Sequence, residues 1–304
     1  MEHFLKIIAS GYNNKYRDIS RLTFVMPNKR SGTFLLKNFK ELQKTPVFSP
    51  RIIPITEFID NTIETVKDSR MDLLFRLFES YRRISKKTDM EFEKFSSWGE
   101  TMLSDFNEVD MHMKDADEIF RNVSDLNSIR STFLSEEQKK VMVEYFGYSP
   151  EKVLEEAVRF WEEFEVTDSS GEEEKSLRAS RKKFYTLWQL LPLIYRDFKA
   201  RLKADGLTTE GGGYREAAER IESGFEPFKG DKIIFVGFNA LAESERRIFK
   251  ALKKMKVEID GEPEPKADYI WDILPAEETG NMDAAMKFVK INSRKDNFPA
   301  PEWI

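Results

Sequence analysis

The chain has 304 residues, with 49 Lys+Arg against 54 Asp+Glu, two His and no Cys; at about 150 residues per domain that is roughly two domains, and enough chain to bury a sizeable core. A 40% hydrophobic content with 25 Phe excludes a disordered chain, and the lack of Cys excludes disulfide frameworks, Cys-ligated zinc, iron–sulfur clusters and thiol nucleophiles together. A net charge of −5 excludes a protein that is basic all over and leaves room only for a local basic patch.

Leu22-Thr-Phe-Val-Met26 is a short apolar and β-branched run that ends at Pro27, the pattern of a buried strand. Phe34, Leu35, Leu36 and Phe39 follow at helical spacing, which predicts a helix opening at Ser31 or Gly32 and makes Asn28 to Gly32 the strand-to-helix loop. Ile52-Ile-Pro-Ile55 predicts a second strand, with Thr56 as N-cap of the next helix. From Asn61 to Phe228 the spacing is helical. Stripes run through Leu73, Leu74, Leu77, Phe78 and Tyr81; through Trp98, Met102, Leu103 and Phe106; through Val153, Val158, Trp161 and Phe164; and through Phe184, Leu187, Trp188, Leu191, Ile194, Tyr195 and Phe198. No strand is expected in this block, and Glu165 to Lys183 has no apolar periodicity and reads as a loop. Ile233-Ile-Phe-Val236 is the clearest buried strand; Gly237, Phe238 and Asn239 turn it into a helix over Glu243 to Lys254, with Ile248, Phe249 and Leu252 inward. After a Pro/Gly-rich loop, Asp268 to Trp271 predicts a last strand.

Strand–helix alternation at both ends of a helical block predicts one discontinuous α/β domain, residues 1–60 and 229–304, with a parallel sheet and right-handed crossovers. Residues 61–228 form an all-α insertion on this reading. No apolar run approaches the ~20 residues that span a bilayer, and Met1-Glu2-His3-Phe4 is not the start of a secretory signal. No membrane association and a cytoplasmic location are therefore expected.

Nucleotide chemistry has a recognisable signature that this chain lacks. A phosphate-cradling loop needs Gly-x-x-x-x-Gly-Lys-Ser/Thr between strand and helix, so that backbone amides and one Lys meet the phosphates. Gly224 to Lys232 is one residue too long, carries Asp231 where Lys should stand, and precedes a strand. Gly211-Gly212-Gly213 follows the helical block with no strand before it on this reading. The acidic pair that would hold magnesium is also missing: Gly237 and Phe238 follow the clearest strand, and neither ligates a cation. Glu262, Glu264 and Lys266 are spaced like part of a nuclease triad, but Pro263 and Pro265 are expected to exclude the regular strand such a site needs. Trp98, Trp161 and Trp188 fall on apolar stripes and read as core, and His112 has no catalytic partner in view. No catalytic residue, metal site or cofactor is expected.

Leu22 to Gly32 (LTFVMPNKRSG) resembles the strand and loop called motif Ia in superfamily I helicases. Phe235 to Glu245 (FVGFNALAESE) is similar to the degenerate second motif of AddB-type subunits, in which a Gly-Phe turn followed by Glu replaces Asp-Glu. Leu207 to Arg215 and Tyr269 to Asp272 resemble stretches of large Bacteroidetes-type proteins that combine an inactivated helicase region with a C-terminal PD-(D/E)XK nuclease. The resemblance runs from about Phe4 to Asp272. It implies a RecA-like, P-loop-NTPase-type domain with a helicase 1B-like insertion, Gly237, Phe238 and Asn239 at degenerate motif positions, and a part in DNA-end processing and recombinational repair. The second RecA-like domain and the nuclease are missing from this sequence, so a fragment of a longer helicase–nuclease is expected, non-catalytic in itself.

Charge is unevenly spread. Six Lys/Arg and one Glu fall between Arg21 and Lys44, and Arg246, Arg247, Lys250, Lys253, Lys254 and Lys256 cluster on or after the last helix. Such patches suit a phosphate backbone, although basic helix faces are commonly just solvated. On the resemblance, Asn28, Lys29 and Arg30 contact single-stranded or forked DNA; on charge alone, Arg246, Arg247 and Lys250 are a second candidate set. The alternative is a scaffold that docks a partner helicase–nuclease subunit and touches no DNA.

Overall fold

The computed structural model describes residues 2–86, 90–124, 190–238 and 240–271. Expectations for residues 125–189, including Trp161, Trp188 and the 165–183 loop, lie outside the described residues, as do Asn239 and Asp272. The chain divides into two compact units. One comprises residues 1–69, 104–113 and 203–304; the other comprises residues 70–103 and 114–202.

The first unit is built on a parallel sheet of four strands: β1 (Leu22–Met26), β2 (Arg51–Pro54), β5 (Lys232–Val236) and β8 (Ala267–Ile270), in the order β2-β1-β5-β8. Strands β1 and β5 are buried along their whole length. This is why they read as continuous apolar runs: a parallel strand with helices on both faces has no wet side. Val25, Ile233 and Phe235 face one layer with Phe58, Tyr214, Ala217, Ile221, Ile248, Phe249 and Leu252. Leu22, Phe24, Met26, Ile234 and Val236 face the other, with Leu5, Ile8, Tyr12, Leu35 and Phe39.

Helices α1 (Glu2–Lys15) and α2 (Lys29–Leu42) supply the second layer; α3 (Ile55–Asp60), α8 (Glu210–Glu222) and α9 (Glu243–Lys254) supply the first. The path β1-α2-β2 therefore winds over one face and β5-α9-β8 over the other. Two right-handed crossovers that set out in opposite directions from the middle of a sheet require this. The strand order reverses between β1 and β5, so their carboxyl ends flank the crevice where open α/β sheets bind ligands.

Several expectations change on contact with this geometry. Helix α2 begins at Lys29, two or three residues earlier than the apolar spacing predicts, because the Asn28 side chain caps it. Helix α3 begins at Ile55 with Pro54 at its N-cap, so Thr56 is inside the first turn; proline lacks the N–H that a helix start leaves unsatisfied anyway. The block expected to be free of strands holds a short parallel pair, β3 (Val66–Lys67) and β4 (Leu207–Thr208), so a strand does precede Gly211. Helix α8 and the segment Ser104–Met113, which includes the end of α5 (Phe92–Met111), group with the sheet.

The Pro/Gly-rich stretch is a β-hairpin, β6 (Lys256–Ile259) with β7 (Glu262–Pro265). Asp260 and Gly261 both take positive φ, 52° and 86°, the conformation of a two-residue type I′ turn. In such a hairpin the Ile259–Glu262 and Val257–Glu264 pairs exchange hydrogen bonds, while Pro263 and Pro265 fall in the intervening pairs, where no N–H is needed.

In the second unit, α4 (Arg70–Ser85), the first part of α5 and residues 190–202 of α7 (residues 190–204) carry stripes that the sequence predicts, and α6 (Ala116–Ser124) is a further helix. Leu73, Leu77, Tyr81, Phe95, Leu103, Ile194 and Phe198 are buried. Trp98 packs edge-on against Tyr81 and Phe95, which makes it a packing residue.

Candidate nucleic-acid interface

Strand β1 delivers Pro27, Asn28, Lys29 and Arg30 to the carboxyl edge of the sheet, beside the strand-order reversal. Asn28 is extended (φ −151°, ψ 162°) and its Oδ1 accepts from the Ser31 N–H at 2.9 Å, while Ser31 Oγ donates to the Asn28 carbonyl at 3.0 Å. Its side-chain oxygen is thus committed to the cap. Lys29 and Arg30 follow in the first turn, both exposed, and neither forms an ion pair among the described residues. No acidic residue occupies this first turn. Cations there oppose the positive end of the helix dipole, at about 0.3–1 kcal/mol each at low ionic strength.

The second basic set has a different setting. Arg246 Nη1 lies 2.6 Å from Glu243 Oε2, and Arg247 holds Glu222 through two nitrogens, Nε at 2.7 Å. The Glu222 hydrogen bond raises the Arg247 pKa above its ordinary value. Both guanidinium groups are already neutralised. Lys250 is exposed, with no ion pair among the described residues. Because α9 and α2 cover opposite faces of the sheet, the two basic sets do not share a face.

The degenerate-motif positions at the end of β5 serve the fold. Gly237 turns the chain at φ 77° and donates its N–H to the Ile270 carbonyl at 2.8 Å. Phe238 is buried against Phe235 and Phe249. Glu245, in the first turn of α9, accepts from the Ala242 N–H at 2.8 Å. Burial raises its carboxyl pKa above the ordinary value, against the pull of that hydrogen bond and of His112.

The triple glycine opens α8 but presents no free cradle. The Gly211 N–H donates to Asn107 Oδ1 at 2.9 Å, Gly212 N–H to Thr209 Oγ1 at 3.0 Å, and Gly213 N–H to the Thr209 carbonyl at 2.9 Å. A Cβ on Gly211 would lie 2.2 Å from the Asn107 carbonyl oxygen, so glycine is what lets α5 reach α8. Among the described residues no group of three or more His, Asp and Glu is placed to hold a metal ion. His112 is exposed, with Nε2 3.3 Å from Glu108 Oε2.

The sequence gives no sign of a buried polar cluster at the amino-terminal end of the sheet. Lys232 Nζ, 1% exposed, meets Glu264 Oε2 at 3.0 Å, Asp268 Oδ1 at 3.1 Å and the Pro265 carbonyl at 2.9 Å. From α1, one turn apart, Tyr12 donates to Asp268 at 2.8 Å and Tyr16 to Glu264 at 2.5 Å. Burial, and the carboxylates they face, push both phenols well above the ordinary range. Burial also acts to raise the Glu264 carboxyl, but the Tyr16 and Lys232 hydrogen bonds and the Lys232 charge outweigh it and leave the pKa lowered. Every member has partners, and the cluster lies at the edge opposite Lys29. It clamps α1 and the hairpin to the sheet.

No protein-family model matches the chain, and no curated protein matches it.

Proposed function

We propose that the α/β unit is a non-catalytic, RecA-like, helicase-derived module that grips the DNA backbone through Lys29 and Arg30, with residues 70–103 and 114–202 as its 1B-like insertion. It would belong to a helicase–nuclease that processes DNA ends for recombinational repair. The observation that carries this reading is the pair of exposed, unpaired cations at the positive end of α2, beside the strand-order reversal. Stability alone favours acidic residues there, so phosphate contact accounts for their placement better than folding does. Contacts of this kind are sequence-independent and weaken as salt rises. The work that Gly237 and Phe238 do within the fold supports the non-catalytic part of the proposal.

Asn28 enters as the cap that orients this turn, and Arg246 and Arg247 drop out of the contact set because carboxylates already hold them. The test is fluorescence anisotropy on a forked duplex with a single-stranded tail, over a salt titration, with wild type and Lys29→Glu/Arg30→Glu. Charge reversal improves the match to the helix dipole, so the variant should fold at least as stably. Salt-sensitive binding that the variant loses supports the proposal; absence of wild-type binding at low salt refutes it.

A second reading rests on α4, where Met71 and Phe75, one turn apart, are 57% and 46% exposed. An apolar pair of this kind suits docking of a partner helicase–nuclease subunit. It would be detected as partner binding that Met71→Ser/Phe75→Ser removes and Lys29→Glu/Arg30→Glu does not.

A further inference from the structure

The exposed residues of α2 do not stop at its first turn. Lys29, Thr33, Lys37 and Lys40 are all exposed at successive three- and four-residue spacings, with exposed Leu36 beside them, and Lys44 extends the row just past the helix. A 14-residue helix is about 21 Å long at 1.5 Å per residue. With Arg30, residues 29–44 hold five cations against one acid, Glu41. That acid lies 3.9 Å from Lys37 in an exposed pair, which leaves most of the Lys37 charge available. This stretch is therefore +4 in a chain of net −5. Positive charge is concentrated on the outer surface of a single helix.

Four residues after Lys44, in the segment leading to β2, Phe48 is 86% exposed, more than any other large hydrophobic residue among the described residues, and its neighbour Val47 is 50% exposed. Leaving a benzyl group in water forfeits about 2 kcal/mol of burial, and the fold does nothing with it. A row of cations leading to a bare aromatic ring is the composition of surfaces that bind single strands, where Lys and Arg follow the phosphates and rings stack on bases.

We infer that the outer face of α2 is a track for a single-stranded nucleic acid, entered at Lys29 and Arg30, continued along Lys37, Lys40 and Lys44, and closed by a base stacked on Phe48. This rests on the backbone contact proposed above and extends it from one helical turn to the whole helix. At a strand rise of about 3.4 Å per nucleotide, the helix length corresponds to about six nucleotides. The ring favours a single strand over a duplex, because paired and stacked bases hide their faces.

The test uses the full chain and a fluorescent oligo(dT) of about 20 nucleotides, with an abasic strand of equal length as reference. Phe48→Ala should weaken oligo(dT) binding by about 5- to 150-fold, the range for one base–aromatic stack, with no effect on the abasic strand; Phe48→Trp should restore it. Lys40→Gln/Lys44→Gln should lower the slope of log K against log salt by about 1.4, from two phosphate contacts at about 0.7 each on a single strand. These are exposed positions, and a thermal melt confirms that each variant folds. If Lys29→Glu/Arg30→Glu abolishes binding while the Phe48 and Lys40/Lys44 variants behave as wild type, the track is overturned and the narrower contact stands. If wild type binds neither strand, both are overturned. A Phe48→Ala loss that is equal on abasic and normal strands also overturns the stack.

Discussion

Replacing Lys232 by Met tests what the buried cluster contributes. The ammonium is 1% exposed and faces two carboxylates at 3.0 and 3.1 Å. Removing it leaves Glu264 and Asp268 close together in a half-buried setting. Each keeps one phenolic donor, from Tyr16 and Tyr12, and Glu264 keeps Lys15 at 3.1 Å. Breaking a buried pair by deleting one partner costs about 3–5 kcal/mol. The surviving donors place the expected loss at the lower end, about 3 kcal/mol. Neutralising the whole cluster in Lys232→Met/Glu264→Gln/Asp268→Asn removes the stranded charges, and buried ionic clusters replaced as a unit are often neutral in cost. The triple variant should therefore be more stable than Lys232→Met alone, by about 1–2 kcal/mol, a coupling of the size that residues in contact show. Urea denaturation followed by circular dichroism reads all variants on one scale. A Lys232→Met loss below about 1 kcal/mol, or single-variant losses that simply add, would refute this account.

Gly211→Ala should destabilise by about 1–3 kcal/mol, because the new Cβ meets backbone atoms of Asn107 that cannot swing aside. At Gly213→Ala the nearest atoms all belong to side chains, those of Lys67 and Ile63 at 3.3 and 3.4 Å and of Ile59 at 3.7 Å, and the change should be neutral or stabilising by up to about 1 kcal/mol; thermal melts that rank the two the other way would contradict the packing argument. For Glu245 the pKa is raised by burial, so this group favours the fold at low pH and that contribution is lost as pH rises through its folded value. Glu245→Gln should accordingly gain stability over wild type at neutral pH and lose that gain in acid. Equal stability differences at both pH values would count against a buried, raised carboxyl.

The strands and the last helix were legible because two-sided burial writes continuous apolar runs and one-sided burial writes a period of 3.6. Helix α9 matches its expected bounds, Glu243 to Lys254, and its buried face is Ile248, Phe249 and Leu252. Periodicity shows that a helix has an apolar face, but not what that face meets. Tyr214, Ala217, Ala218 and Ile221 of α8 were readable as a stripe, yet their packing on the sheet is a tertiary fact. Helix α1 carries the same signal in Leu5, Ile8, Ala9 and Tyr12, over a single short stripe. The hairpin was hidden by its prolines, although Asp260-Gly261 is a strong turn signal. At the candidate interface the basic residues were legible by type. Their state was not: register and packing bring Glu222 to Arg247 and leave Lys29 and Arg30 unpaired. The Lys232 cluster was invisible for the same reason, since only the tertiary fold, with β5 beside β8, brings residues 232, 264 and 268 together.

The small β3–β4 pair has a consequence for how this chain accommodates length. Val66 lies beside Leu207 and Lys67 beside Thr208, and the Val66 and Asp68 N–H groups donate to the Gly206 and Thr208 carbonyls at 2.9 and 3.2 Å. The chain thus first leaves the α/β unit just after one strand of a stapled gate and last re-enters it just before the other; in between it returns once, through residues 104–113. The entropy of closing a loop grows only with the logarithm of its length, so each doubling of what lies beyond the gate adds about 0.6 kcal/mol. Apart from the end of α5 that returns to meet Gly211, residues beyond the gate can be lengthened, shortened or exchanged at little cost to the sheet. The surface presented there is free to diverge while the α2 face stays fixed.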